Sequence, residues 1–138
     1  MSHQSFEVLL VEDNPGDVHL ALEAFKSSAL PANVHVVGDG EAALRFLEER
    51  LEVQAEGLDL VVLDLNLPRM NGHEVLASMR QEKRSEGIPV VVLTSSDRES
   101  DIQESYGLRA NCVVTKPVDG KDYMKLVRAI HRHFALVR

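Results

Sequence analysis

Three acids, a hydroxyl and a lysine stand out in this chain by type and by place. Glu12 with Asp13, then Asp64, Thr94 and Lys116, each follow directly on a short apolar run: Val8 to Val11, Leu60 to Leu63, Val90 to Leu93 and Cys112 to Thr115 in turn. Taken singly, each has an ordinary structural reading. An Asp after a strand turns the chain, a Thr caps a helix, and a Lys is a solvated side chain. Together they describe a chemistry. Carboxylates gathered at one point repel one another unless a cation lies among them, and an oxygen-only set suits Mg2+, which keeps several waters in an octahedral shell. Metal, lysine and hydroxyl in turn suit a phosphoryl group, whose transfer spreads negative charge over its equatorial oxygens. One acid must then be the nucleophile, and Asp64, alone at the end of its run, is the best placed to form an acyl phosphate.

The elements that must bring these residues together are legible in the pattern. Val8 to Val11, Leu60 to Leu63 and Val90 to Leu93 read as buried strands, and Val34 to Val37 and Cys112 to Thr115 as weaker ones. Each is followed by a helix-like stretch, so the order is strand then helix throughout. This predicts an α/β fold, a doubly wound five-stranded parallel sheet with helices on both faces. In such a sheet functional groups gather beyond the carboxyl ends of the strands, near the reversal of strand order. Asn14-Pro15-Gly16-Asp17 offers an N-cap, a proline at the first helical position and an acid in the first turn. Ser96-Asp97-Arg98-Glu99 fits a capping box, and Asp119 with Asp122 opens the last helix in a related way. The last helix carries Tyr123, Val127, Ile130, Phe134 and Val137 at helical spacing, a core-facing stripe. Phe134 to Val137 is a run of consecutive apolar residues, wider than one stripe buries, which leaves room for a partner surface.

Composition narrows the class. With 138 residues, 44% hydrophobic and 27% charged, the chain is one globular domain able to bury a core without disulfides. Its single cysteine, Cys112, cannot pair internally, and the N-terminus has neither a basic start nor an apolar stretch, so a cytoplasmic setting is expected. No apolar run approaches membrane-spanning length. A net charge of -7 argues against sequence-independent binding to nucleic acid or anionic lipid. The charge is uneven: residues 116–138 hold six Lys/Arg against two Asp, a net +4, which leaves -11 on residues 1–115. That basic last helix, Lys121 to Arg138, offers a surface for a homodimer or an acidic partner through Leu136 and Val137. No glycine-rich phosphate loop of the Walker or dinucleotide type is present.

Val11-Glu12-Asp13-Asn14-Pro15, Leu63 to Gly72 (Leu-Asp-Leu-Asn-Leu-Pro-Arg-Met-Asn-Gly), Leu93-Thr94-Ser95 and Thr115-Lys116-Pro117 resemble the CheY-like receiver domain of two-component response regulators. The resemblance covers about residues 6–135, which implies a single receiver domain across 1–138 with no output domain. Val-Glu-Asp-Asn-Pro-Gly-Asp and Asn-Leu-Pro-Arg are similar to the stand-alone regulators paired with phytochrome histidine kinases. By this resemblance Asp64 is the phosphoacceptor for a phosphohistidine on a sensor histidine kinase of phytochrome type. Asp13 and Asp64 bind Mg2+ by carboxylate, Asn66 by its backbone carbonyl and Glu12 through water. Thr94 and Lys116 contact the phosphoryl oxygens, and the Lys116-Pro117 bond is cis. One position departs from the family: three residues before the lysine it usually has an aromatic, and this chain has Val113. A valine offers no ring or hydroxyl to move, so output is expected through loop movement or dimer contacts.

Two other functions share the same strand-end acids. An aspartate-nucleophile phosphatase needs a second acid two residues after the nucleophile, where this chain has Asn66. A flavodoxin-type module needs a Ser/Thr/Gly-rich loop after the first strand and stacking aromatics, where this chain has Glu12-Asp13 and only 4% aromatic residues.

Overall fold

The computed structural model describes residues 6–52, 57–95 and 98–137. Strands and helices alternate: β1 (Phe6–Val11), α1 (Pro15–Ser27), β2 (Ala32–Val37), α2 (Gly40–Glu52), β3 (Leu60–Asp64), α3 (Gly72–Gln81), β4 (Val90–Thr94), α4 (Glu99–Gly107), β5 (Cys112–Thr115) and α5 (Gly120–Val137). The five strands form one parallel sheet in the order β2-β1-β3-β4-β5, as the alternation predicts. The order reverses between β1 and β3. Their carboxyl ends therefore open a crevice flanked by Glu12-Asp13 and Asp64.

Side-chain alternation divides the core into two layers. Val8, Leu10, Leu60, Val62, Val91 and Leu93 face Ala21, Ala24 and Phe25 of α1 and Tyr123, Val127 and Ile130 of α5. Leu9, Val11, Val61, Leu63, Val90 and Val92 face Ala43 and Leu47 of α2 and Val75, Leu76 and Met79 of α3. The three central strands are buried almost throughout, whereas β2 and β5 are half-buried edges, which is why their runs carry a weaker apolar signal. Tyr123, Val127 and Ile130 form the expected stripe on α5; the side chains of Phe134 to Val137, and with them the expected partner surface, lie outside the described residues. Among the described residues no helix is long and apolar enough to cross a membrane.

Side chains cap four helix starts, and those at Asn14 and Asp119 are the ones the sequence predicts. Asn14 Oδ1 accepts from the Asp17 N–H at 2.9 Å with Pro15 in the first turn, Asp39 Oδ1 accepts from Ala42 N–H at 2.7 Å, and Asp119 Oδ1 from Asp122 N–H at 2.9 Å. Asn71 and Glu74 form a reciprocal capping box on α3. The start of α4 does not fit the box expected at Ser96 to Glu99. Helix α4 starts at Glu99 with Arg98 in the cap position and no side-chain cap bond, so Glu99 is the first helical residue rather than the third that a box requires. Ser96 and Asp97 themselves lie outside the described residues.

Candidate functional site

The end of β3 places Asp64 by close packing. The Gly72 N–H donates to the Leu65 carbonyl at 3.0 Å, folding the loop after β3 back on itself. A Cβ at Gly72 would lie 2.7 Å from both the Asp64 carbonyl oxygen and the Leu65 Cα, inside any real contact distance. Only glycine lets α3 begin this near the strand end. Within that turn Arg69 adopts a φ of 63°, and its guanidinium meets Asp39 Oδ2 at 3.1 Å, tying the loop to the start of α2.

Asp64 is 1% exposed, and both of its oxygens are held. The Asn66 backbone N–H donates to Oδ1 at 2.9 Å, and the Lys116 ammonium donates to Oδ2 at 2.8 Å. Lys116 reaches across because β5 lies beside β4, where the Lys116 N–H donates to the Thr94 carbonyl at 2.8 Å. Thr94, at the end of β4, is itself buried. Beyond β1, Glu12 is buried and Asp13 exposed, and ligand oxygens of Glu12, Asp13 and Asp64 lie within 4.8 Å of one another. Glu12 Oε2 accepts from the Asn14 N–H at 3.0 Å; Oε1 is buried 3.2 Å from the lysine nitrogen yet accepts no hydrogen bond.

The electrostatics match this crowding. Burial pushes the Glu12 carboxyl up to about 7; the Asn14 N–H opposes the rise, the Asp64 charge adds to it and Lys116 again opposes it. Burial alone would lower the Lys116 ammonium, but the Asp64 hydrogen bond and charge, then Asp17 and Glu12, outweigh it and hold the lysine protonated well above its ordinary range. Tyr123, beneath the site, is raised above its ordinary range first by burial and then by the Asp17 and Glu12 charges.

Sequence reasoning selects Glu12, Asp13, Asp64, Thr94 and Lys116, and the sheet carries all five at the carboxyl ends of its strands. Asn66 is exposed, its side chain donating to Ser95 Oγ at 2.7 Å, which links the loop after β3 to the loop after β4. One prediction fails: no peptide bond among the described residues is cis, so Lys116–Pro117 is trans. Trans is the locally preferred isomer of an X–Pro bond, and the lysine already reaches its carboxylate partners in it. One site residue is missed. Asp17, read from sequence only as a first-turn acid, brings Oδ2 to 3.2 Å from the Lys116 nitrogen. The signal was its place at the first turn of a helix that opens at the carboxyl end of β1, facing the same crevice.

A doubly wound sheet with an acidic trio and a lysine at its switch point defines a class, and the comparisons agree on which. The model of the response regulator receiver domain matches residues 8–128, and the chain belongs to that family. Response regulator Rcp1 of Synechocystis sp. is 42% identical over 124 residues, which is 89% of this chain and 84% of that protein. Among solved structures, the phosphorylated cyanobacterial phytochrome response regulator RcpA superposes with a TM-score of 0.86 at 37% identity, covering 98% of this chain and 97% of that one. The Mn2+-bound form of Rcp1 gives a TM-score of 0.79 at 41% identity, covering 91% of each chain. The protein is a response regulator similar to those of phytochrome systems.

Proposed function

We propose that this protein accepts a phosphoryl group on Asp64 from a phosphohistidine of a phytochrome-type sensor histidine kinase and signals through a changed protein-binding surface. The observation that carries this reading is Asp64 itself: a buried carboxylate with one oxygen fixed by a backbone N–H and the other on an ammonium, beside two further acids. In the transfer, an Asp64 oxygen bonds to phosphorus as the P–N bond breaks, and the imidazole leaves with the electron pair. Lys116 neutralises the phosphoryl oxygens, and Thr94, buried at the next strand end, donates its hydroxyl to them.

Mg2+ is the metal we assign to the site. The oxygen-only donors, their mutual approach and the buried Glu12 oxygen without a hydrogen bond all fit a small hard cation. Asp13 and Asp64 would ligate it directly, the Asn66 carbonyl from the backbone, and Glu12 through water. When bound it supplies charge neutralisation among the acids. The related Rcp1 has been solved with Mn2+.

Phosphorylation adds about two negative charges at Asp64. Thr94 is drawn toward the new group, the loop that follows it repositions, and the surface of α4 and α5 changes. The protein is on this reading a cytoplasmic signalling protein rather than a turnover enzyme. Asn66, exposed and bonded to Ser95, provides no general acid for phosphatase chemistry. Output is contact with proteins, with self-association through α5 included.

The deciding experiment incubates the protein with purified phytochrome-type kinase and Mg2+ and looks by mass for an acid-stable, base-labile phosphate. The expected result is one phosphate on Asp64, lost in Asp64→Asn. Phosphate retained by Asp64→Asn would overturn the assignment. Thr94→Ala is expected to take up phosphate yet lose phosphorylation-dependent partner binding. Sedimentation of the full chain against a truncation ending at His131 reads the α5 contribution; identical monomers would remove it.

A further inference from the structure

An ammonium has three N–H donors and no acceptor. Lys116 is surrounded by three carboxylates: Asp64 Oδ2 at 2.8 Å, Glu12 at 3.2 and 3.3 Å to its two oxygens, and Asp17 Oδ2 at 3.2 Å. Asp64 and Glu12 belong to the acidic trio at the crevice, whereas Asp17 does not. Asp17 comes from the first turn of α1, where Asn14 Oδ1 accepts its backbone N–H at 2.9 Å and Pro15 starts the helix. Two of the lysine's partners therefore sit where a phosphoryl group and its cation gather. The third is anchored in the capped first turn of α1, outside that trio.

We propose that Asp17 is a positioning residue for phosphoryl transfer, holding the Lys116 ammonium toward α1 so that it neither closes down on Asp64 before the phosphoryl group arrives nor drifts from it afterwards. This rests on the reading of Asp64 as phosphoacceptor. Without Asp17, the ammonium's charge is shared by Asp64 and Glu12 alone, and the 2.8 Å contact on Asp64 Oδ2 tightens. A carboxylate gripped harder by a cation is a poorer nucleophile. Removing the Asp17 charge thus slows attack on an anionic phosphodonor. Simple charge repulsion predicts the reverse, because deleting a negative group near the crevice eases the approach of an anion. The opposite signs make the role decidable.

The test uses the full chain at saturating Mg2+ with acetyl phosphate as the donor, and reads the initial rate of phosphate uptake by intact mass. Asp17→Asn is expected to slow uptake by about three- to tenfold, the size of one partly buried charge-assisted contact. Asp17→Glu, which keeps the charge, recovers most of the rate. In the double variant with Lys116→Met, the combined loss is smaller than the product of the two single losses, because both act through one contact. Thermal melting of each variant confirms the fold. Unchanged or faster uptake in Asp17→Asn, or losses that multiply, overturns the proposal. Absence of phosphate on the unsubstituted chain overturns the phosphoacceptor reading and this inference with it, whereas normal uptake there with an unchanged Asp17→Asn sinks only the role of Asp17.

Discussion

Helices α3 and α4 both begin just after a strand end that carries a site residue, and they are held in opposite ways. Helix α3 starts with a reciprocal capping box, has Gly72 jammed against the Asp64 carbonyl, and buries Val75, Leu76 and Met79 in the core. Its far end is pinned as well: the Arg80 guanidinium donates to the Glu86, Ile88 and Arg109 carbonyls at 2.8–3.0 Å, with burial first and Arg109 second lowering its proton affinity. Helix α4 has no side-chain cap and one buried residue, Ser105. That residue is polar. Its hydroxyl donates to the Asp101 carbonyl at 2.9 Å and so accepts from His73 Nε2 of α3 at 2.8 Å, while the other ring nitrogen faces Glu104 at 3.5 Å. A second polar tie joins the Tyr106 hydroxyl to the Val113 N–H at 3.2 Å. The side of the crevice bearing Asp64 is fixed by close packing, and the side bearing Thr94 leads into a helix held by a few hydrogen bonds. Elements with few buried apolar contacts open at low cost.

The contrast can be broken at its strongest point first. Gly72→Ala is expected to cost about 2–3 kcal/mol by overpacking, read by urea denaturation, and to displace Asp64 enough to cut phosphate uptake. A stable, active Gly72→Ala would mean the strand end is not set by that contact. Next come the caps: Asn71→Ala is expected to cost about 1 kcal/mol, and Arg98→Ala, at a position that makes no cap bond, within about 0.5 kcal/mol. Equal costs at the two positions would erase the distinction between the helices. Ser105→Ala removes the His73 tie and is expected to cost about 1 kcal/mol, with faster amide exchange confined to α4. Exchange that rises equally in α3 would show the two helices to be one cooperative unit.

The smallest effect concerns pH. In the metal-free protein Glu12 titrates near 7 against 4.5 for an ordinary glutamate, so between those values the native state binds more protons than the unfolded one. Stability without metal therefore falls as pH rises from about 4.5 to about 7 through this group, fully protonated below that window and fully ionised above it. A cation entering the trio must displace that proton, so Mg2+ affinity is expected to rise with pH through about 7. Calorimetric titration at pH 6 and pH 8 checks the sign; affinity that does not rise would separate Glu12 from the metal site.

The strand-helix alternation, the two-layered core and the residue types at each strand end are read from sequence because they depend on periodicity and local chemistry alone. The Asn14 and Asp119 caps are local in the same sense, each linking residues three positions apart; the α3 box at Asn71 and Glu74 is equally local but was not read from the sequence. What lay beyond such reading is long-range. That Asp17 joins Lys116, 99 positions away in the chain, depends on α1 and β5 converging over one crevice. The His73–Ser105 tie, 32 positions apart, likewise depends on how α3 and α4 dock. Sequence by itself determined which chemical groups reach the ends of the strands, since a period of two and a short apolar run suffice for that. Only the tertiary structure decided which of many acids share the lysine and which helix is tied by hydrogen bonds rather than apolar packing, because both follow from distances between segments far apart in the chain.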